Sequence, residues 1–115
     1  MASAKNMPSG NTTMLVLKLL AAKDMYGYQI IEELAGQSAE VFRLKTGTLY
    51  PLLHSLENDG MIISYDQNAD NQRIRKYYQL TPNGKGLLEK KQAEWTQYAH
   101  AVSRVMEGGV GYAFA

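Results

Sequence analysis

Cysteine is absent from the chain. That absence excludes disulfide staples, thiolate nucleophiles and cysteine-bearing zinc sites together, and it fits a reducing compartment. Long hydrophobic runs are missing too. The longest nearly uncharged apolar stretch, Met14 to Ala22, is interrupted by Lys18 and is far shorter than the roughly 20 residues a bilayer crossing needs. Residues 1–10 carry a lysine but no apolar segment of the secretory kind, so a cytoplasmic location is expected. Nor does either sign of charge dominate. Twelve Lys and Arg against eleven Asp and Glu leave a net charge of +1 and a pI near 7.9, below the strongly basic level of many DNA-binding domains.

Sets of residues that would carry catalysis or a metal are also lacking. His54 has Glu57 and Asn58 one turn further on, and His100 stands among Ala and Val. Two histidines on separate helices without a third ligand do not make a zinc site, and no Ser/His/Asp arrangement is recognisable. Asp66, Asn68 and Asp70 imitate the start of an EF-hand loop, but Asn71 stands where glycine is required and Tyr77 where the closing glutamate belongs. The glycines at 108, 109 and 111 precede no further helix, as a dinucleotide fingerprint would require. No enzyme activity, metal or cofactor is expected.

What is present suits one globular domain. At 115 residues, 45% hydrophobic and 20% charged, the chain can bury roughly 65% of its unfolded surface. A first helix is expected over Asn11 to Lys23, with Asn11, Thr12 and Thr13 as candidate caps and leucines within. Gly27, Ile30, Ile31 and Leu34 recur at helical spacing in a second helix, for which Gly36 is the expected C-cap. Leu49, Leu52, Leu53 and Leu56 form the apolar stripe of a third helix within Thr46 to Gly60. If Thr48 caps it, Pro51 falls in the first turn, where a missing N–H costs nothing; if Thr46 does, one backbone bond is lost.

Met61 to Tyr65 and Arg73 to Leu80 are β-prone runs separated by the polar stretch Asp66 to Gln72, which reads as a hairpin with an exposed tip. Alternation puts Ile74, Lys76, Tyr78 and Leu80 on one face, taken as inward, and Arg73, Arg75, Tyr77 and Gln79 on the other, taken as a basic surface. From Arg73 through Lys85 there are four bases and no acid. The positive field is therefore local. Thr81 and Pro82 then open a last helix, with Gly84 and Gly86 weakening its first turn, that nothing breaks before Gly108 and Gly109. Leu88, Trp95 and Val102 repeat every seven residues, as do Lys91, Tyr98 and Val105, giving a heptad-like seam with one charged exception. Such a rod, about 38 Å long, is longer than the remaining domain can cover.

The expected fold is mainly α with a small β-hairpin, a winged helix-turn-helix over residues 11–80 followed by a dimerisation helix over 81–107. Residues 1–10 are expected to be a flexible N-terminus and 108–115 a flexible tail. In this architecture the third helix enters the major groove of DNA and the hairpin tip reaches adjacent backbone or minor groove.

Three blocks carry a family resemblance: Met25-Tyr-Gly-Tyr-Gln-Ile-Ile-Glu-Glu-Leu34, the run from Thr46 through Ile62 that contains Gly47-Thr-Leu-Tyr-Pro-Leu-Leu53, and Arg75-Lys-Tyr-Tyr-Gln-Leu-Thr-Pro-Asn-Gly84. In this order and spacing they resemble the PadR family of bacterial transcriptional regulators over nearly all of 11–106. The resemblance implies a homodimeric repressor on a pseudo-palindromic DNA operator, released by an effector. The chain is similar to the short subgroup, in whose multidrug-sensing members a tryptophan at the place of Trp95 stacks a ligand.

Candidate DNA contacts are Lys45, Thr46, Thr48, Tyr50, Pro51, His54 and Ser55 around the third helix, and Arg73, Arg75 and Lys76 on the wing. Short polar groups and an exposed tyrosine suit backbone and groove contacts. Lys45 is preferred over Arg43, since it immediately precedes the helix whose positive end also attracts phosphate. Leu88, Trp95, Tyr98, Val102 and Val105 are the candidate dimer seam. Trp95 is either plain dimer core or one wall of a slot on the dyad that takes a planar aromatic or drug-like effector, with Leu15, Asn11, Ala99 and Val102 as neighbours. The competing reading is a winged-helix protein-interaction module without sequence-specific DNA binding, favoured by the near-zero net charge.

Overall fold

The structure is a computed structural model and describes residues 9–68 and 73–112. Their order is α1 (Ser9–Ala22), β1 (Met25–Tyr26), α2 (Gly27–Gln37), α3 (Thr46–Asn58), β2 (Ile62–Asn68), β3 (Ile74–Leu80) and α4 (Pro82–Tyr112). This is the expected winged helix, with one strand more than the hairpin.

α1 begins at Ser9 rather than Asn11, so Thr12 and Thr13 are buried inside the helix instead of capping it. Its Val16, Leu17, Leu19 and Leu20 form the centre of the core with Met25, Ile30, Leu34, Leu49, Leu53 and Ile62. α2 buries Ile30, Ile31 and Leu34 as its spacing requires. Gly36, the expected C-cap, lies within α2, and the chain leaves through Ser38. The left-handed exit falls instead on Ala39 (φ 52°) and Glu40 (φ 68°), a conformation that costs non-glycine residues about 1 kcal/mol each. Local bonds hold it: Glu40 N–H donates to Ala35 O at 2.7 Å, and Phe42 N–H donates to Ser38 Oγ at 3.0 Å.

α3 buries Leu49, Leu53 and Leu56, but neither threonine caps it. Its N-cap is Lys45, which supplies no side-chain hydrogen bond, and Pro51 lies inside the helix. The Gly47 carbonyl, four residues back, therefore loses its usual donor. The other end is a Schellman closure: Gly60 has φ 77°, its N–H donates to Glu57 O at 3.1 Å, and Met61 N–H donates to Leu56 O at 2.9 Å.

The sheet order is β1-β3-β2, all antiparallel. β1, which the sequence reading lacked, pairs Met25 with Tyr78 and Tyr26 with Tyr77. β2 is longer than Met61 to Tyr65, because Asp66, Gln67 and Asn68 still pair with Lys76, Arg75 and Ile74. Residues 69–72 of the expected turn, including Asp70 and Asn71, lie outside the described residues. Tyr78 and Ile62 face inward, but Ile74, assigned to that face, is 68% exposed, because the arm extends past the helices that could cover it. Lys76 is exposed as well, whereas Arg75 and Tyr77 on the supposed basic surface are half-buried.

Thr81 caps α4 as expected, its Oγ1 accepting from Gly84 N–H at 3.0 Å while its hydroxyl donates to Gly60 O at 2.7 Å. Gly84 is required there: a Cβ would overlap the Met61 carbonyl oxygen. α4 continues through Gly108 and Gly109 to Tyr112, since a glycine weakens a helix by about 1 kcal/mol without breaking it. Residues 1–8 of the expected N-terminal segment and 113–115 of the expected tail lie outside the described residues. Leu88 is 5% exposed and belongs to the protomer's own core. It leaves the expected dimer seam for that reason. Beyond Leu88, the helix extends away from its own core.

Candidate nucleic-acid interface and effector cleft

Because α3 turns Leu49, Leu53 and Leu56 into the core, with Leu52 packed against it, its polar side faces outward. Lys45, Thr46, Thr48, Pro51, His54 and Ser55 are all exposed on it. Tyr50 is different. It is half-buried and its ring lies against Gly27 at the start of α2, in the space a Cβ on that residue would occupy. It is the hydroxyl end of the ring that meets Gly27, so Tyr50 is part of the junction between α2 and α3, and it also lines the cleft toward the wing.

Arg43 and Lys45 differ in their partners. Arg43 donates to Glu40 Oε1 from Nε at 3.1 Å and from Nη2 at 2.8 Å, and Nη1 is 3.5 Å from Glu32 Oε2. Hydrogen bonding to Glu40, then the charge of that carboxylate, raises the already high Arg43 pKa. Lys45 makes no ion pair with a described carboxylate.

On the wing, alternation separates Lys76 from Arg73 and Arg75, yet all three line one cleft of about 320 Å³ with Tyr26, Gly27, Tyr28, Tyr50 and Tyr78. The Arg75 guanidinium carbon sits 4.3 Å from the centroid of the Tyr26 ring, a cation–π contact. Tyr26 meets Tyr77 edge-on at 5.5 Å, and Tyr77 stacks on Tyr65 at 5.9 Å. The Tyr65 hydroxyl donates to Asp24 Oδ2 at 2.6 Å, and Gln79 Nε2 donates to the same oxygen at 3.2 Å. That hydrogen bond, helped by desolvation and the Asp24 charge, raises the Tyr65 pKa; burial, then Tyr50 and Glu57, raises that of Tyr78. Tyr26 and Tyr28 were missed by the sequence reading, although the Met25-Tyr-Gly-Tyr28 run that holds them was in view.

A second concave site lies between α1 and α4. Asn11, Met14, Leu15 and Lys18 of α1, Phe42 of the loop after α2, and Leu88, Gln92, Trp95 and Thr96 of α4 enclose about 300 Å³. The expected trio Asn11, Leu15 and Trp95 is thus brought together, whereas Ala99 and Val102 lie further along α4 and do not line this cleft within one chain. Phe42 escaped notice because a loop aromatic has no periodicity to report it. On its other side, Trp95 borders a cleft of about 370 Å³ with Gly10, Asn11, Lys91, Glu94 and Tyr98. Trp95 is 46% exposed and Val105 73% exposed, with Tyr98, Val102 and Met106 also uncovered.

Residues 16–90 match the family model described as the transcriptional regulator PadR-like family. The chain belongs to that family. A transcriptional regulator of Mycobacterium tuberculosis is 33% identical over 87 residues, covering 76% of this chain and 78% of that one. The crystal structure of a PadR family transcriptional regulator from Eggerthella lenta is similar with a TM-score of 0.74 at 32% identity, over 86% of this chain and 84% of that one. A PadR family transcription regulator from Clostridium difficile gives a TM-score of 0.69 at 36% identity, over 82% and 96%. This PadR-like chain is a transcriptional regulator of the winged-helix DNA-binding class and not an enzyme. No helix among its described residues is long and apolar enough to cross a membrane.

Proposed function

We propose that this PadR-like regulator is a homodimeric repressor. Each α3 enters a major groove of a pseudo-palindromic operator, with Lys45, Thr46, Thr48, His54 and Ser55 toward the DNA and the wing cations on flanking phosphates. The observation that carries this reading is the continuity of α3's exposed polar face, through Tyr50, with the cleft holding Arg73, Arg75 and Lys76. Pairing is assigned to the second half of α4, where Trp95, Tyr98, Val102 and Val105 stand uncovered by their own chain. A planar, largely apolar effector stacks on Trp95 in the cleft between α1 and α4, and its entry shifts α4 against α1 and so changes the spacing of the two α3 helices.

A mobility shift on the protein's own promoter tests the DNA reading: tighter retention of promoter than of scrambled duplex is expected, and equal affinity contradicts it. Arg73→Ala with Arg75→Ala separates this reading from a protein-interaction module, since a DNA reader loses affinity for duplex while an adaptor keeps its partner. For the effector, a planar fluorescent dye should bind the unaltered protein and lose affinity for Trp95→Ala, followed by the dye's own emission.

A further inference from the structure

We infer that the cleft between the wing, the start of α2 and Tyr50 is a seat for one backbone phosphate of duplex DNA, with Tyr28 as a contact that closes it. The inference rests on the DNA-binding reading above and adds a site and a residue to it.

The chemistry of the lining is one-sided. Arg73, Arg75 and Lys76 bring three cations, Tyr26, Tyr28, Tyr50 and Tyr78 bring phenol groups, and no described carboxylate lines the cleft. Asp66 is the cross-strand neighbour of Lys76, yet the two form no ion pair. A phosphodiester offers unesterified oxygens that accept from guanidinium, ammonium and hydroxyl groups, and its sugar neighbours present apolar faces to aromatic rings. Cations with phenol rings therefore fit a nucleic-acid backbone better than a bare anion, which has no use for the rings.

Position argues the same way. Tyr50 belongs to α3 and Arg75 and Lys76 to β3, so the cleft lies between the helix assigned to the major groove and the wing assigned to flanking backbone. A strand running from one to the other passes over it. Tyr28, at the start of α2, lines the cleft and is 62% exposed, so its hydroxyl is accessible to a ligand seated there.

The seat is also built in advance of its ligand. Gly27 admits the Tyr50 ring against α2, and a Cβ there would displace it. Arg75 is aimed by the Tyr26 ring, itself fixed through Tyr77 and Tyr65 to Asp24. A guanidinium already held in place loses less freedom on binding.

Phosphate contacts are independent of sequence, so the test needs no operator. Binding of the full-length protein to a random-sequence duplex is followed by fluorescence anisotropy across a salt series, for the unaltered protein, Tyr28→Phe and Arg73→Gln. Both positions are exposed and neither substitution touches the core. Tyr28→Phe is expected to weaken binding about tenfold, by loss of one hydrogen bond to a charged group, with the same factor on a second, unrelated duplex and an unchanged salt slope. Arg73→Gln is expected to weaken binding and reduce the slope by about one. If Arg73→Gln behaves so while Tyr28→Phe binds as the unaltered protein does, or weakens one duplex only, the phosphate seat is overturned and the DNA-binding reading stands. If the unaltered protein retains neither duplex at low salt, the DNA-binding reading falls and takes this inference with it.

Discussion

Two glycines show how differently one residue type can matter. At Gly84 a methyl group would strike the Met61 carbonyl oxygen, which already accepts from Thr81 N–H at 3.1 Å, and a backbone atom cannot swing aside. Gly84→Ala is therefore expected to destabilise the fold by about 1–3 kcal/mol despite alanine's better helix propensity. Gly36 has no atom within 4 Å of a new Cβ and lies inside α2, so Gly36→Ala is expected to stabilise by about 0.5–1 kcal/mol. Denaturant unfolding of the two variants checks the opposite signs. Tyr65 supplies a pH signature. Its hydrogen bond to Asp24 raises the folded pKa above the unfolded value of about 10, so the contribution is present below that value and lost as pH rises through the folded pKa. Stability measured on the alkaline side should fall less steeply in Tyr65→Phe than in the unaltered protein; equal slopes would contradict the assignment.

At the scale of elements, what could be read in the sequence was whatever repeats locally. The Leu49, Leu53, Leu56 stripe, the Thr81-Pro82 start and the Gly60 stop are each determined within a few residues, and the structure has them where expected. β1 was invisible because two residues have no period and its partner, β3, lies far along the chain. The clefts were half-legible for a similar reason: Trp95, Leu15 and Arg73 follow from their own elements, whereas Phe42, Tyr26 and Tyr28 join them only through packing between elements. A heptad on α4 says that a face is apolar and leaves open which chain covers it. Leu88 and Val105 divide the two answers. Leu88→Ala is expected to cost about 2–5 kcal/mol of stability, because Leu88 is core. Val105→Glu should leave the protomer folded, with unchanged circular dichroism, and separate the two chains on a sizing column. A destabilised but still dimeric Val105→Glu would place that residue elsewhere than the seam.

For the whole molecule, near-neutrality and DNA binding are compatible because the cations are concentrated. With a net charge of +1, the proposed interface assigns attraction to DNA to Lys45 and the three wing cations rather than to the protein's total field, so the salt dependence per chain should be shallow. Shallow contacts read an operator effectively only in pairs, at a spacing of about 34 Å along one face of the duplex. That pairing is what α4 is assigned to supply: the protomer is elongated, 67 Å along its long axis against 28 and 21 Å across, and α4 is its longest element, with 31 residues. Sedimentation equilibrium of the protein, alone and with promoter duplex, measures it most directly. Two chains in the free species at about micromolar concentration, and two per duplex, are the expected result; a stable monomer that binds the duplex singly would contradict the account.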